Sequence, residues 1–176
     1  TCRSDVRVQA ALLRSLADGD AWVRYYACQS LGKLALPHSA DAIAKLLEDE
    51  AGQVRVAAVE ALSHLKTEGA HGALSAAARS SEVDVQRAAL IGLGMAGRAE
   101  SLELLMEATA SSDAATRLVA LSALAELPLP PVLPTLARAV TDADEAVRTA
   151  ALGFVAARPG PEATRLLIGF LHDPTT

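Results

Sequence analysis

Apolar residues along this chain follow a spacing that repeats without a break. Val23, Ala27, Leu31 and Leu34 lie at i, i+4, i+8 and i+11, the stripe that one face of a helix presents to a core. The stripe returns every 31 residues. Val23 is followed by Val54, Val85, Thr116 and Val147, Ala27 by Ala58, Ala89, Ala120 and Ala151, and Leu31 by Leu62, Leu93, Leu124 and Val155. A second apolar phase runs through Leu12, Ile43, Leu74, Leu105, Leu136 and Leu167, and a polar one through Asp18, Asp49, Ser80, Ser111, Asp142 and Asp173. Such a period marks an array of supersecondary repeats, here near 5–35, 36–66, 67–97, 98–128 and 129–159, with a terminal half-repeat over 160–176.

Each repeat predicts two helices. Asp20, Asp113 and Asp144 stand just before a second helix, where a short acceptor caps free N–H groups. Pro37, Pro130, Pro161, Gly97 and Gly160 fall between the second helix of one repeat and the first of the next, as stop-and-start signals do. A pair this short cannot bury its apolar face alone, so the pairs must stack into one core. The expected fold is all-α, a right-handed solenoid (superhelix) of helix pairs forming a single repeat domain over 1–176.

The recurring pattern D…VR..A...L, seen in "WVRYYACQSLGKL", "QVRVAAVEALSHL" and "AVRTAALGFVAAR", resembles the short bacterial HEAT-like repeats, a type also found in phycobilin lyase subunits. The resemblance covers essentially the whole chain. Its signature residues are the ones that build a solenoid, so it implies architecture more than function.

Composition narrows the functional classes. The chain has 51% hydrophobic residues but only 3% aromatic, which suits closely packed helices rich in Ala, Leu and Val. A net charge of −5 argues against nucleic acid and anionic membrane, since both select basic surfaces. No apolar run approaches a membrane span. Cys2 and Cys28 are far apart and outside any CxxC, which predicts neither a disulfide framework nor a zinc site. Cys2 reads as a trimmed chain end rather than a lipidated one, and the expected location is the cytoplasm.

Candidate chemistry is sparse. Arg24, Arg55 and Arg148 each follow an Asp by six residues, namely Asp18, Asp49 and Asp142, which suggests a structural Asp–Arg ladder bracing the turn inside each repeat. Such pairs contribute about 0.5–1 kcal/mol each when exposed. Arg117 follows Ser111 instead, with Asp113 as a substitute, and the third repeat has Ser80 and Gln86. His38, His64, His71 and His172 occupy different phases, and no HExxH or His-Glu pair occurs, so the iron-holding pairs of HEAT-like deoxyhypusine hydroxylases are not implied. Ser30 falls at the buried phase of Ala61 and Ala123, and Ser122 has no histidine in phase. Gly92 and Gly94 lie inside a helical repeat, as close-packing positions rather than a phosphate loop. The residues predict no catalytic constellation, no metal and no cofactor.

Three of the five aromatic residues cluster at Trp22, Tyr25 and Tyr26. Tyr26 shares its phase with Ala57, Ala88, Val119 and Ala150, which predicts an oversized core residue. Trp22 and Tyr25 share phases of mixed chemistry, which predicts exposure. By the HEAT resemblance, second helices line a concave binding face. Its candidate residues are Trp22, Tyr25, Gln29 and Lys33, then Val56, Glu60 and His64, then Arg87, Ile91 and Met95, then Leu118, Ser122 and Glu126. Lys33 and Arg87 face Glu60, Asp84, Glu126 and Glu145 there, an acidic balance. Exposed aromatics beside Ile91 and Met95 suit a protein-binding hot spot, while a role in covering the end of the stack stays equally open.

The expectation is therefore a non-catalytic interaction or scaffold module whose partner is another protein, not nucleic acid or membrane. Two alternatives follow from the resemblance: a tetrapyrrole-binding accessory like the phycobilin lyase subunits, and a DNA-binding or glycosylase-like protein. The half-repeat leaves Leu166, Ile168 and Phe170 without a following helix, which suggests a segment of a longer array or a helix that closes the stack, and an uncovered end repeat could stack against a copy of itself.

Overall fold

A computed structural model of the protein describes the backbone of residues 2–172 and the side chains of residues 6–170. Cys2 and Asp173, singled out above, fall outside the described side chains. The described residues form eleven α-helices, joined in places by short 3-10 turns, and no strand. The chain divides into two compact units, Thr1–Ala96 and Gly97–Thr176, and the division falls at a repeat boundary.

The first unit holds α1 (Cys2–Ser15), α2 (Ala21–Leu34), α3 (Ala40–Ala44), α4 (Gly52–His64), α5 (Glu68–Ala77) and α6 (Val83–Ala96). The second holds α7 (Leu102–Ala108), α8 (Ala114–Ala125), α9 (Val132–Ala139), α10 (Glu145–Ala156) and α11 (Pro161–His172). The second helices of the repeats run unbroken, and neighbours lie side by side: α2 along α4, α4 along α6, and α8 along α10. First helices are less regular. In the second repeat, 3-10 turns at Pro37–Ser39 and Lys45–Glu48 flank α3. Pro37 starts the first of them, where its fixed φ fits and its missing N–H leaves no hydrogen bond unmade.

The predicted stripes form the core. Leu31, Ile43, Leu62, Leu74 and Leu93 are fully buried in the first unit, as are Leu105, Leu124 and Leu136 in the second. Leu90 and Leu121, at the phase of Cys28 and outside the predicted stripes, join them. Small residues let the second helices close up. A Cβ on Gly32 of α2 would stand 2.7 Å from the Ala61 Cα in α4, and one on Gly92 of α6 would stand 3.0 Å from the Ser63 Cβ. This spacing explains a core built from Ala and Leu with few aromatics.

The polar phase is a turn. In each of the five repeats its side chain accepts from the backbone N–H two residues on: Asp18 from Asp20, Asp49 from Ala51, Ser80 from Glu82, Ser111 from Asp113 and Asp142 from Asp144. Asp and Ser both perform this short-range turn, which explains their interchange. The next helix is then capped by Asp20, Asp113 and Asp144, as their positions predict.

The arginines pair differently from the sequence expectation. Arg24, Arg55, Arg117 and Arg148 do reach back six residues, but to the backbone carbonyls of Asp18, Asp49, Ser111 and Asp142. For Arg24, Arg55 and Arg117 the carboxylate partner lies in the following repeat. Arg24 grips Asp49 with a two-pronged fork at 2.7 and 2.8 Å, and Arg117 grips Asp142 at 2.8 and 2.7 Å. At the next junction the Asp phase is Ser80, and Arg55 pairs with Glu82 instead. The ladder therefore ties repeat to repeat through its carboxylates, and it braces the turn within a repeat through the backbone carbonyls rather than through an acid–base pair.

Three positions read as core are exposed. Val23, Tyr26 and Leu34 are 38%, 60% and 50% accessible, whereas Val54, Ala57 and Leu65 at the same phases of the next repeat are 0%, 0% and 4%. Helix α2 itself covers that face of α4, and no described helix does the same for α2. Ser30, also read as buried, is half-exposed, and its hydroxyl donates to the Tyr26 carbonyl.

Candidate second-helix binding surface

Asp20 sets the start of α2 by accepting from the Trp22 N–H at 2.8 Å. One turn of helix then presents all three aromatic rings. Trp22 and Tyr25 meet edge to face at 5.5 Å, Tyr25 and Tyr26 likewise at 5.2 Å, and Trp22 and Tyr26 lie tilted at 6.1 Å. Such contacts hold the rings in place while leaving Trp22 and Tyr26 exposed. Tyr25 is half-buried, and its hydroxyl accepts from Gln29 Nε2 at 2.8 Å.

The rest of the candidate surface in the first unit follows the same phases. Lys33 on α2 and Glu60 and His64 on α4 are exposed, while Gln29, Val56 and Arg87 are half-buried. Ile91 and Met95 on α6 stand 49% and 60% accessible, large apolar side chains open to water. In the second unit Leu118 and Ser122 on α8 are half-buried and Glu126 is exposed. Ser122 donates its hydroxyl to the Leu118 carbonyl at 2.9 Å, a helix-internal bond that does not activate a nucleophile.

Two clefts open on these helices. One of about 450 Å³ brings Tyr25 of α2 to Gln53, Val56 and Glu60 of α4 and to Asp84 of α6. The other, of about 620 Å³, brings Leu118 of α8 to Asp144, Glu145, Ala146 and Thr149 around the start of α10. They share part of one register, but their carboxylates do not recur: Glu60 corresponds to Gly153, and Glu145 to Gly52. Leu118 holds the phase of Tyr25, Ala146 that of Gln53 and Thr149 that of Val56, three repeats on. Of the predicted residues, Tyr25, Val56 and Glu60 share the first cleft and Leu118 enters the second, whereas Ile91, Met95, Lys33 and His64 line neither. Gln53, Glu82, Asp144 and Thr149 were not among the predicted site residues. They come from the adjoining repeat; the 31-residue register links Gln53 to Ala146 and Thr149 to Val56, whereas Glu82 and Asp144 have no counterpart in the other cleft.

Charge around the junctions is settled by the forks. Hydrogen bonding to Arg24 holds the Asp49 carboxyl below its ordinary range, and Arg117 does the same for Asp142. Cys28 is fully buried, and loss of water pushes its thiol up to about 12, with Glu60 and Asp49 adding to the rise. Such a thiol is a poor nucleophile. Among the described residues no three His, Cys, Asp or Glu side chains gather as a metal site, and no helix is long and apolar enough to cross a membrane.

The family model for HEAT repeats matches residues 8–94, 71–151 and 102–176, nearly the full chain. The chain belongs to the HEAT repeat family. Among solved structures, this HEAT repeat chain is similar to a chain in the complex of CpcE and CpcF of phycocyanin lyase from Nostoc sp. PCC7120. The identity is 21%, the match spans 94% of this chain and 71% of that one, and the TM-score is 0.71. It is also similar to a chain of the condensin Cnd3–Cnd2 subcomplex of S. pombe, at 21% identity over 90% of this chain and 24% of that one, with a TM-score of 0.71. A designed armadillo repeat protein in complex with the peptide (KR)4 matches at 18% identity over 90% and 86% of the two chains, with a TM-score of 0.60. At these identities the likeness is one of fold: the HEAT chain shares a helical repeat solenoid with all three. No curated protein matches it.

Proposed function

We propose that this HEAT chain is a non-catalytic, cytoplasmic protein-binding module, and that its partner docks on the exposed side chains of the second helices. The observation that carries the reading is the stripe of large apolar side chains left in water. Trp22 on α2 and Ile91 and Met95 on α6 are about half exposed or more, although cores of Ala and Leu lie directly beneath them. Exposed aromatic and flexible apolar side chains on a rigid helical frame are what binding hot spots use. In the first unit, close contacts at Gly32 and Gly92 and the Arg24 fork to Asp49 hold neighbouring repeats together. The solenoid neighbours support the reading, since a phycocyanin lyase complex and a peptide-bound designed protein share the architecture.

The test is affinity capture from cell lysate with the native chain beside an Ile91→Glu, Met95→Glu variant and a Trp22→Ala variant, all matched by circular dichroism and melting temperature. A protein captured by the native chain and lost from the variants supports docking on this stripe. Equal capture by all three refutes it. Bilin added to the native chain should give no absorbance shift, and a shift would favour the tetrapyrrole reading.

A further inference from the structure

The two clefts share the phase of Tyr25 and Leu118 and differ in where their carboxylates stand. Each has an apolar wall, Tyr25 with Val56 in the first and Leu118 with Ala150 in the second. Each also carries carboxylates. The first has Glu60, Glu82 and Asp84, and its cation Arg55 is already engaged by Glu82 and by the Asp49 and Glu50 carbonyls. Glu60 and Asp84 are exposed, and among the described residues no cation pairs with either. In the second cleft Asp144 is occupied in capping α10, whereas Glu145 is exposed at the rim.

An apolar wall under free carboxylates selects its occupant. A purely apolar side chain would strip water from Glu60 and Asp84 without replacing it, and an anionic one would be repelled. A side chain with a long aliphatic stem and a cationic head meets both halves of the cleft. Its stem lies on Tyr25 and Val56 while its head reaches the carboxylates, and the Tyr25 ring adds a cation–π contact. Lysine and arginine are the residues of that form. Three repeats on, Leu118 stands at the phase of Tyr25, and Glu145 supplies a rim acid from the phase of Gly52 rather than that of Glu60.

We infer that the two clefts are sites for lysine or arginine side chains, and that the docked partner segment is a basic peptide. The inference rests on the protein-binding reading above and names the partner's chemistry. Its test is fluorescence anisotropy with a short fluorescein-labelled peptide of alternating Lys, Arg and Ala, at low and moderate salt. Two charge-matched variants are compared. Glu60→Lys, Asp84→Lys alters the first cleft, and Glu103→Lys, Glu107→Lys alters exposed positions on α7 that line neither cleft. All four positions are exposed, so both variants should fold, which circular dichroism checks. The cleft variant should weaken binding about tenfold or more, and the α7 variant less than about twofold. Glu145→Lys should weaken it by an intermediate factor through the second cleft. Equal weakening by the two double variants would overturn the inference by reducing it to net charge. Absence of peptide binding to the native chain would overturn it too. A lysate partner that still depends on Ile91 and Met95 would then leave the protein-binding reading standing without the basic peptide.

Discussion

Helices α2 and α4 carry the same stripe and meet different fates. Val23 and Val54 share one phase, yet the first is 38% accessible and the second 0%. Asp18 and Asp49 share another. Both close the same backbone turn, but only Asp49 receives an arginine fork. The lesson is that a repeat's signature encodes the shape of a helix pair, while burial and ion pairing belong to the junction between pairs. Where a described neighbour covers the stripe, it is core. Where none does, the same residues form surface.

The comparison can be broken most sharply by one substitution made twice. Val54→Ala should lower stability by about 2–3 kcal/mol, because it removes fully buried methyl groups and leaves a cavity. Val23→Ala should cost less than about 0.5 kcal/mol. Urea or thermal unfolding reads both, and equal costs would mean that α2 is covered in solution by something the structure does not hold. Next in size is Gly32→Ala, whose new Cβ meets the α4 backbone at Ala61. It should cost roughly 1–3 kcal/mol by forcing α2 and α4 apart, against a few tenths for Ala at the open Gly19.

The ion pair sharpens the contrast further. Asn can still accept the turn hydrogen bond, so Asp49→Asn removes mainly the charge partner of Arg24. It should lower Tm by roughly 4–8 °C at neutral pH, and Asp18→Asn should leave it nearly unchanged. The pH dependence has a definite sign. The folded Asp49 carboxyl is held below its unfolded value, chiefly by hydrogen bonding to Arg24, so its contribution is complete above the unfolded value near pH 4. It is lost as pH falls through the lowered folded value. The gap between native and Asp49→Asn proteins should therefore close in acid and persist at pH 7.

The smallest effect concerns the end of α2. Ala35 sits at φ 47°, in the left-handed region that a side chain resists, whereas Gly97 occupies the same phase two repeats on at φ 64°. Ala35→Gly should stabilise by about 1 kcal/mol or leave stability unchanged after the entropy of glycine is set against it. A loss of more than that would show that the Ala35 methyl makes a contact worth keeping.

Much of this protein was legible before any coordinates. The 31-residue period gives the helix pairs, the caps at Asp20, Asp113 and Asp144, and the core positions from Leu31 to Leu136. These depend on chemistry within one repeat: an acceptor two or three residues from an N–H, and an apolar face with helical spacing. The candidate surface was legible in part, since Trp22, Ile91 and Met95 are exposed as their phases predict. The rest lies in contacts between repeats. Arg24 takes its carboxylate from Asp49, 25 residues ahead, rather than from Asp18, six behind. Tyr26 faces water because no described helix packs where α2 packs on α4. Glu60 and Asp84 meet Tyr25 in one cleft only because three second helices align side by side. Sequence by itself determined what each helix pair looks like, because that follows from neighbours along the chain. Tertiary structure decided which carboxylate an arginine reaches, which stripe is buried and which side chains share a cleft, because those follow from neighbours across a junction that no local pattern describes.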